Sequence, residues 1–110
     1  LDAGAYDIVQ PDATRCGGIL QCRKIAAMAE AYGVEATPHI FGFGLVMAAN
    51  LQVIAASYNS PWMEYPLFPE EFYMLEEPIR VEDGYAVVPK EPGLGVRLNF
   101  ETIERFLEKS

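Results

Sequence analysis

The chain has 110 residues, a net charge of −8 and a hydrophobic content of 51% with 12% aromatic residues, which excludes a disordered tail and bounds it at one domain. Its richest apolar run, residues 45–56, is broken by Asn50 and Gln52 and falls short of the roughly 18 residues a membrane span requires, so no membrane partner is expected. Residues 64–110 carry eleven acids against five bases, a balance that repels phosphate backbones and leaves no expected nucleic-acid partner.

Residues 5–12 (AYDIVQPD) read as a strand centred on Ile8-Val9 and ending at Pro11-Asp12, because proline lacks a ladder donor. Gly17-Gly18 permits a tight turn into a helix over 19–32. Cys22, Ile25, Ala26, Ala29 and Tyr32 form its apolar stripe, and Gly33 follows its end. Cys16 and Cys22, six residues apart at a helix start, are expected to point different ways; they make neither a disulfide framework nor a zinc site and suit a reducing cytoplasm. Residues 34–39 (VEATPH) supply a second strand, which ends on the only histidine of the sequence. The interval of 27 residues from Asp12 to His39 suits a βαβ unit with parallel strands.

A second helix over 45–57 is apolar almost all round, which predicts burial on more than one side, against another element or another subunit. Pro61 breaks the chain before a third short strand at 62–65 (WMEY). Residues 66–78 lack periodicity and are expected to be an irregular packed connection. Asp83-Gly84 between β-forming residues signals a hairpin over 81–87. Asn99 can cap a last helix over 100–108 with Ile103, Phe106 and Leu107 turned inward. The sequence begins at Leu1 and shows no signal-peptide pattern, which reads as a fragment or a trimmed product.

Strands ending on Asp12, His39 and Glu64 would present three ionisable groups at one rim, and in α/β folds that rim is where ligands bind. A carboxylate on the neighbouring strand orients an imidazole and stabilises its charged form, so Asp12 with His39 suits acid-base chemistry. A protonated Glu64 could donate a hydrogen bond to an oxygen that gains charge. Bland readings stand beside these: a structural histidine, an Asp12 that serves only its own turn, and a Glu64 that is one more surface acid. Gly42-Phe43-Gly44 lacks the rest of a nucleotide loop, and Gly17-Gly18 reads as a plain turn rather than an anion site.

QPDATRCGG at 10–18, KIAAMAEAYG at 24–33, TPH at 37–39, WMEY at 62–65 and EDGYAVVPKEPGLGVRLN at 82–99 together resemble the enolase superfamily, specifically its mandelate racemase group within the mandelate racemase/muconate lactonizing enzyme family. The resemblance covers nearly the whole chain. It implies an α/β fold made of the last three βα units of a TIM-type (β/α) barrel, a partial barrel, with a C-terminal hairpin and helix. Residues 1–66 would be the barrel part and 67–110 a return segment. It implies that His39 moves the proton α to a substrate carboxylate, that Asp12 is paired with it, and that Glu64 hydrogen-bonds the enediolate. Arg15, Phe41 and Trp62, beside the strand ends, are pocket-lining candidates.

The resemblance also implies magnesium, held by three carboxylates upstream of this chain, and a lysine base that this chain lacks. A barrel takes about 250 residues, so this chain alone is expected to be inactive, completed by the rest of the same polypeptide and by a homo-oligomer. The expected substrate is a hydroxy acid, an acid sugar to be dehydrated ahead of one to be racemised. A truncated non-catalytic copy and an independent flavodoxin-like binding module are the competing readings.

Overall fold

The computed structural model describes residues 1–107. Its frame is a parallel pair, β1 (Ile8–Val9) and β2 (Glu35–Ala36), in register Ile8 with Glu35 and Val9 with Ala36. Helix α1 (Ile19–Ala31) makes the crossover. The ladder is longer than the two regular residues of each strand. The N–H groups of Glu35, Thr37 and His39 donate in turn to the carbonyls of Asp7 (3.3 Å), Val9 (3.0 Å) and Pro11 (3.1 Å). These evenly spaced bonds are those of a parallel pair. The rung that position 11 would donate to Thr37 is missing, because proline has no N–H. Regular structure therefore stops short of the expected strand ends, while the backbones stay paired as far as Pro11 and His39.

Gly17 and Gly18 enter α1 at φ 102° and 101°, a region that a Cβ makes costly. Cys22, Ala26 and Ala29 are buried as the stripe predicts. Tyr32 departs from it: it caps the helix, is more than half exposed, and its hydroxyl donates to the Asp2 carboxylate at 2.6 Å.

Helix α2 (Gly44–Ala55) is covered on two sides. Met47, Ala48 and Leu51 pack with Ile40, Tyr73, Leu75 and Ile79, whereas Ala49 and Val53 pack with Ala13 and Cys22. A continuous apolar surface on the helix thus has two neighbours to satisfy. At its start the backbone comes so close to the 73–75 segment that a Cβ on Gly44 would sit 2.7 Å from the Tyr73 carbonyl and collide with Leu75. Gly44→Ala is therefore expected to lower stability by about 1–3 kcal/mol, the usual cost of overpacking. A thermal midpoint equal to that of the parent protein would refute this.

The third strand expected at 62–65 does not form. Only one main-chain rung joins this segment to β2, from Ala36 N–H to the Asn59 carbonyl at 2.9 Å. The next two donors in the ladder would be Pro61 and Pro38, and neither has an N–H. Side chains replace them: the Ser60 hydroxyl donates to the Ala36 carbonyl, and the Glu64 carboxylate accepts from Ile40 N–H at 2.6 Å. The segment is held beside β2, but not as a strand.

The connection that follows contains a short 3₁₀ turn, Glu70–Tyr73. The Tyr73 hydroxyl, donating to the Pro66 carbonyl at 2.8 Å, and the Tyr65 hydroxyl, donating to the Ile79 carbonyl at 2.7 Å, tie it down. Strands β3 (Val81–Glu82) and β4 (Tyr85–Ala86) form the antiparallel hairpin, with Asp83 and Gly84 both left-handed at the turn. Helix α3 (Phe100–Phe106) is capped by Asn99, whose Oδ1 accepts Thr102 N–H at 2.9 Å.

Of the residues expected to turn inward on α3, Phe106 and Leu107 are instead exposed. The short helix buries Thr102, in its first turn, and the Phe106 ring lies against Phe72, at 5.3 Å between centroids. Glu108 lies outside the described residues. Among the described residues no helix is long and apolar enough to cross a membrane.

Candidate functional site

The paired backbones at Pro11 and His39 bring two side chains together at the ends of β1 and β2. Asp12, with a side chain only 4% exposed, faces His39, and Asp12 Oδ2 lies 3.4 Å from His39 Nδ1. An ionised carboxylate can only accept, so this contact assigns the imidazole proton to Nδ1 and leaves the lone pair on Nε2. The imidazole is 41% exposed. It can therefore take a proton from a molecule above the rim while Asp12 holds the far side of the ring.

Asp12 is fixed by more than its histidine. Its Oδ1 accepts Thr14 N–H at 2.8 Å, the Thr14 hydroxyl at 2.7 Å and Asn50 Nδ2–H at 3.1 Å. Burial by itself would push the Asp12 carboxyl up, but the hydrogen bonds from Thr14, Asn50 and His39 together outweigh it and hold the group below the ordinary carboxylate value. The unfolded chain thus binds this proton at higher pH than the folded one. The resulting stabilisation is complete above pH 3.8, the ordinary value, and is lost as pH falls through the lower folded value. Asp12→Asn is expected to remove that part of the acid-side decline. Thermal midpoints recorded between about pH 5 and pH 2 would show parent and variant curves converging; curves that stay parallel would count against it.

Glu64 reaches the same rim through the peptide next to His39, since its Oε2 accepts Ile40 N–H. Arg15 stands on the outer side, with Nε 3.4 Å from Asp12 Oδ2 and a side chain 71% exposed. Phe41 is exposed and meets Phe68 edge to face at 5.8 Å. Trp62 is exposed too, but it lines a groove of about 600 Å³ between the end of α2 and the β3–β4 hairpin, with Ile54, Met63 and Tyr85 among its walls.

Two polar residues at the site went unassigned in the sequence reading, Thr14 and Asn50. Thr14 is the residue two places beyond a turn aspartate, where such a bond is common. Asn50 was visible only as a polar break in an apolar run. Cys16 packs on the cluster containing Cys22, while its thiol is directed to the Gly18 carbonyl at 4.0 Å. Both are free. Burial, then the nearby Cys16 and Asp12, push the Cys22 thiol up to about 12.

A family model described as enolase C-terminal domain-like matches residues 1–103. The chain belongs to this family. It is 38% identical to D-galactarolactone cycloisomerase of Agrobacterium fabrum over 96% of the chain and 31% of that protein. It is 40% identical to D-galactonate dehydratase of Xanthomonas campestris over 96% of the chain and 30% of that protein. Among solved structures, the mandelate racemase/muconate lactonizing enzyme of Jannaschia sp. CCS1 superposes with a TM-score of 0.84 at 31% identity, over 94% of the chain and 27% of that structure's chain.

This enolase C-terminal domain-like chain therefore spans under a third of the length of the relatives it matches. The similarity lies with the mandelate racemase/muconate lactonizing group and with the C-terminal domain of the enolase superfamily. Magnesium, which the family implies, does not fit the residues present. Among the described residues no three His, Cys, Asp or Glu side chains cluster closely enough to hold a metal. The Asp12 carboxylate is engaged by hydrogen-bond donors, and one Glu64 oxygen is taken by a main-chain N–H.

Proposed function

We propose that this chain is the C-terminal part of an enzyme that moves the proton α to the carboxylate of a hydroxy acid. The observation that carries this reading is the Asp12–His39 contact at the ends of two paired parallel strands, with the imidazole open to a ligand. His39 Nε2 accepts the α-proton. Asp12 holds the ring by its Nδ1 proton and stabilises the imidazolium that results. Glu64 lies beside the same peptide, and with a proton on its other carboxyl oxygen it would donate a hydrogen bond to the substrate carboxylate as that group gains charge. Arg15, Phe41 and Trp62 are assigned to the pocket wall; Arg15 supplies positive charge near the substrate acid group, and Phe41 an apolar side.

Residues 1–66 are proposed as the C-terminal part of a (β/α) barrel, with 59–65 lying beside β2 in the place of a third strand, and residues 67–110 as a return segment packed on them. The core shared by Met47 and Leu51 with Tyr73, Leu75 and Ile79 supports that packing. Magnesium is assigned to residues on the part of the relatives' length that this chain does not span. The rest of the same polypeptide and a second copy of it are the proposed partners, and the cytoplasm the proposed location. By itself the chain is proposed to be an inactive piece, since among the described residues no side chains gather into a metal site. Family membership sets the flavodoxin-like reading aside.

Between dehydration and racemisation, the named relatives favour an acid sugar that loses its α-proton and β-hydroxyl. His39, once protonated, can return its proton to the departing hydroxyl. The test is to incubate the full-length protein with a panel of aldonic and aldaric acids in deuterated buffer containing magnesium. A 2-keto-3-deoxy acid is the expected product. Deuterium at the α-carbon with inverted configuration and no keto acid would instead support racemisation, and neither outcome across the panel would overturn the reading.

A further inference from the structure

Asn50 is fully buried in the middle of a helix whose one other polar side chain is Gln52, and the amide is satisfied at both ends. Its Oδ1 accepts Ala13 N–H at 2.9 Å; its Nδ2 donates to Asp12 Oδ1 at 3.1 Å and to the Val46 carbonyl, also at 3.1 Å. These partners fix the orientation of the amide, because a main-chain donor meets the oxygen and two acceptors meet the nitrogen. A polar group buried this deeply costs stability unless it is paired.

The other donors to Asp12 Oδ1 come from Thr14, two residues along the same turn. They fix the carboxylate relative to its own turn only. Asn50 reaches across from α2, 38 residues away in sequence, and gripping both Asp12 and the next peptide, it fixes the turn relative to the body of the fold. It also fills an acceptor site on Oδ1 with a group that cannot itself take a proton. Oδ2 is left to face His39 and Arg15.

We infer that Asn50 is a positioning residue for the proposed proton transfer, setting the orientation and ionised state of Asp12 and, through Asp12, the tautomer and aim of His39. This rests on the reading of Asp12 and His39 given above. The inference goes beyond a packing role because the amide is directed at the one carboxylate that touches the imidazole.

The experiment compares Asn50→Leu and Asn50→Asp with the parent in the full-length protein, following α-proton exchange against pH on an acid that the parent turns over. Asn50→Leu keeps the branched shape, at somewhat greater bulk, and removes the amide; kcat should fall about ten- to a hundredfold, as expected for a misaligned reacting pair, with KM changed less than threefold. Asn50→Asp puts a second carboxylate against Asp12, and the acid limb of the pH profile should move up by about one unit.

Where Asn50→Leu does not fold, Asn50→Ser leaves a hydroxyl for the buried groups without the reach to bridge them, and the same kcat loss is expected. Variants that fold, keep kcat within twofold and leave the pH profile unmoved overturn the inference. The base assignment is separable: if exchange survives removal of the His39 imidazole, the reading of the site fails, whereas exchange that is lost there but intact in both Asn50 variants defeats only the role of Asn50.

Discussion

In the full-length protein, His39→Asn is expected to lower exchange of the substrate α-proton with deuterated solvent by about 10²–10⁴-fold, the usual contribution of a positioned general base. Asparagine keeps a polar group of similar reach that can still donate to Asp12, so the rim should keep its shape while losing the basic nitrogen. The His39 side chain is 41% exposed; little stability should be lost with it. The measurement is deuterium incorporation at the α-carbon by NMR, alongside a thermal melt. Exchange at the parent rate would end the assignment of His39 as the base.

The second large effect belongs to the next residue. Ile40 is fully buried among Met47, Leu51 and Leu75, while its N–H donates to the Glu64 carboxylate. Truncating such a side chain removes its transfer energy and leaves a cavity, so Ile40→Ala is expected to cost about 2–5 kcal/mol and Ile40→Val about 0.5–1.5 kcal/mol. Because His39 precedes it and Glu64 is bonded to its peptide, the alanine variant should also lose activity beyond its loss of folded protein. Denaturant midpoints give the stability change, and turnover per folded molecule gives the second. An alanine variant as stable as the parent would mean that the core around α2 is not packed as described.

The pairing of Asp12 with His39 was legible because the interval between them fits one helical crossover, and parallel neighbours place equivalent ends side by side. The turn at Gly17-Gly18, the hairpin at Asp83-Gly84 and the cap at Asn99 were legible for local reasons, since each depends on the conformational or hydrogen-bonding preference of the residues themselves. What escaped depends on tertiary context. A third strand at 62–65 is plausible from its residues, but a ladder needs donors from both sides, and here both are prolines.

Asn50 reads as an interruption until the fold shows Asp12 opposite it. That Cys16 packs on the cluster around Cys22 depends on the turn before α1, which spacing along the sequence does not give. The exposure of Phe106 and Leu107 follows from how little of α3 finds a neighbour, a property of the surface it lands on rather than of its own period.

The prolines at 11, 38 and 61 have a consequence for how motion at this rim can be observed. With no amide hydrogen at any of these positions, solvent exchange at the rim is read from the amides between them, those of Thr37 and His39 in the ladder and that of Ile40. The amide of Ile40 is the informative one for the site, because its hydrogen lies between the main chain and the Glu64 carboxylate. Its protection reports directly on whether that carboxylate is seated against the backbone or turned toward a ligand.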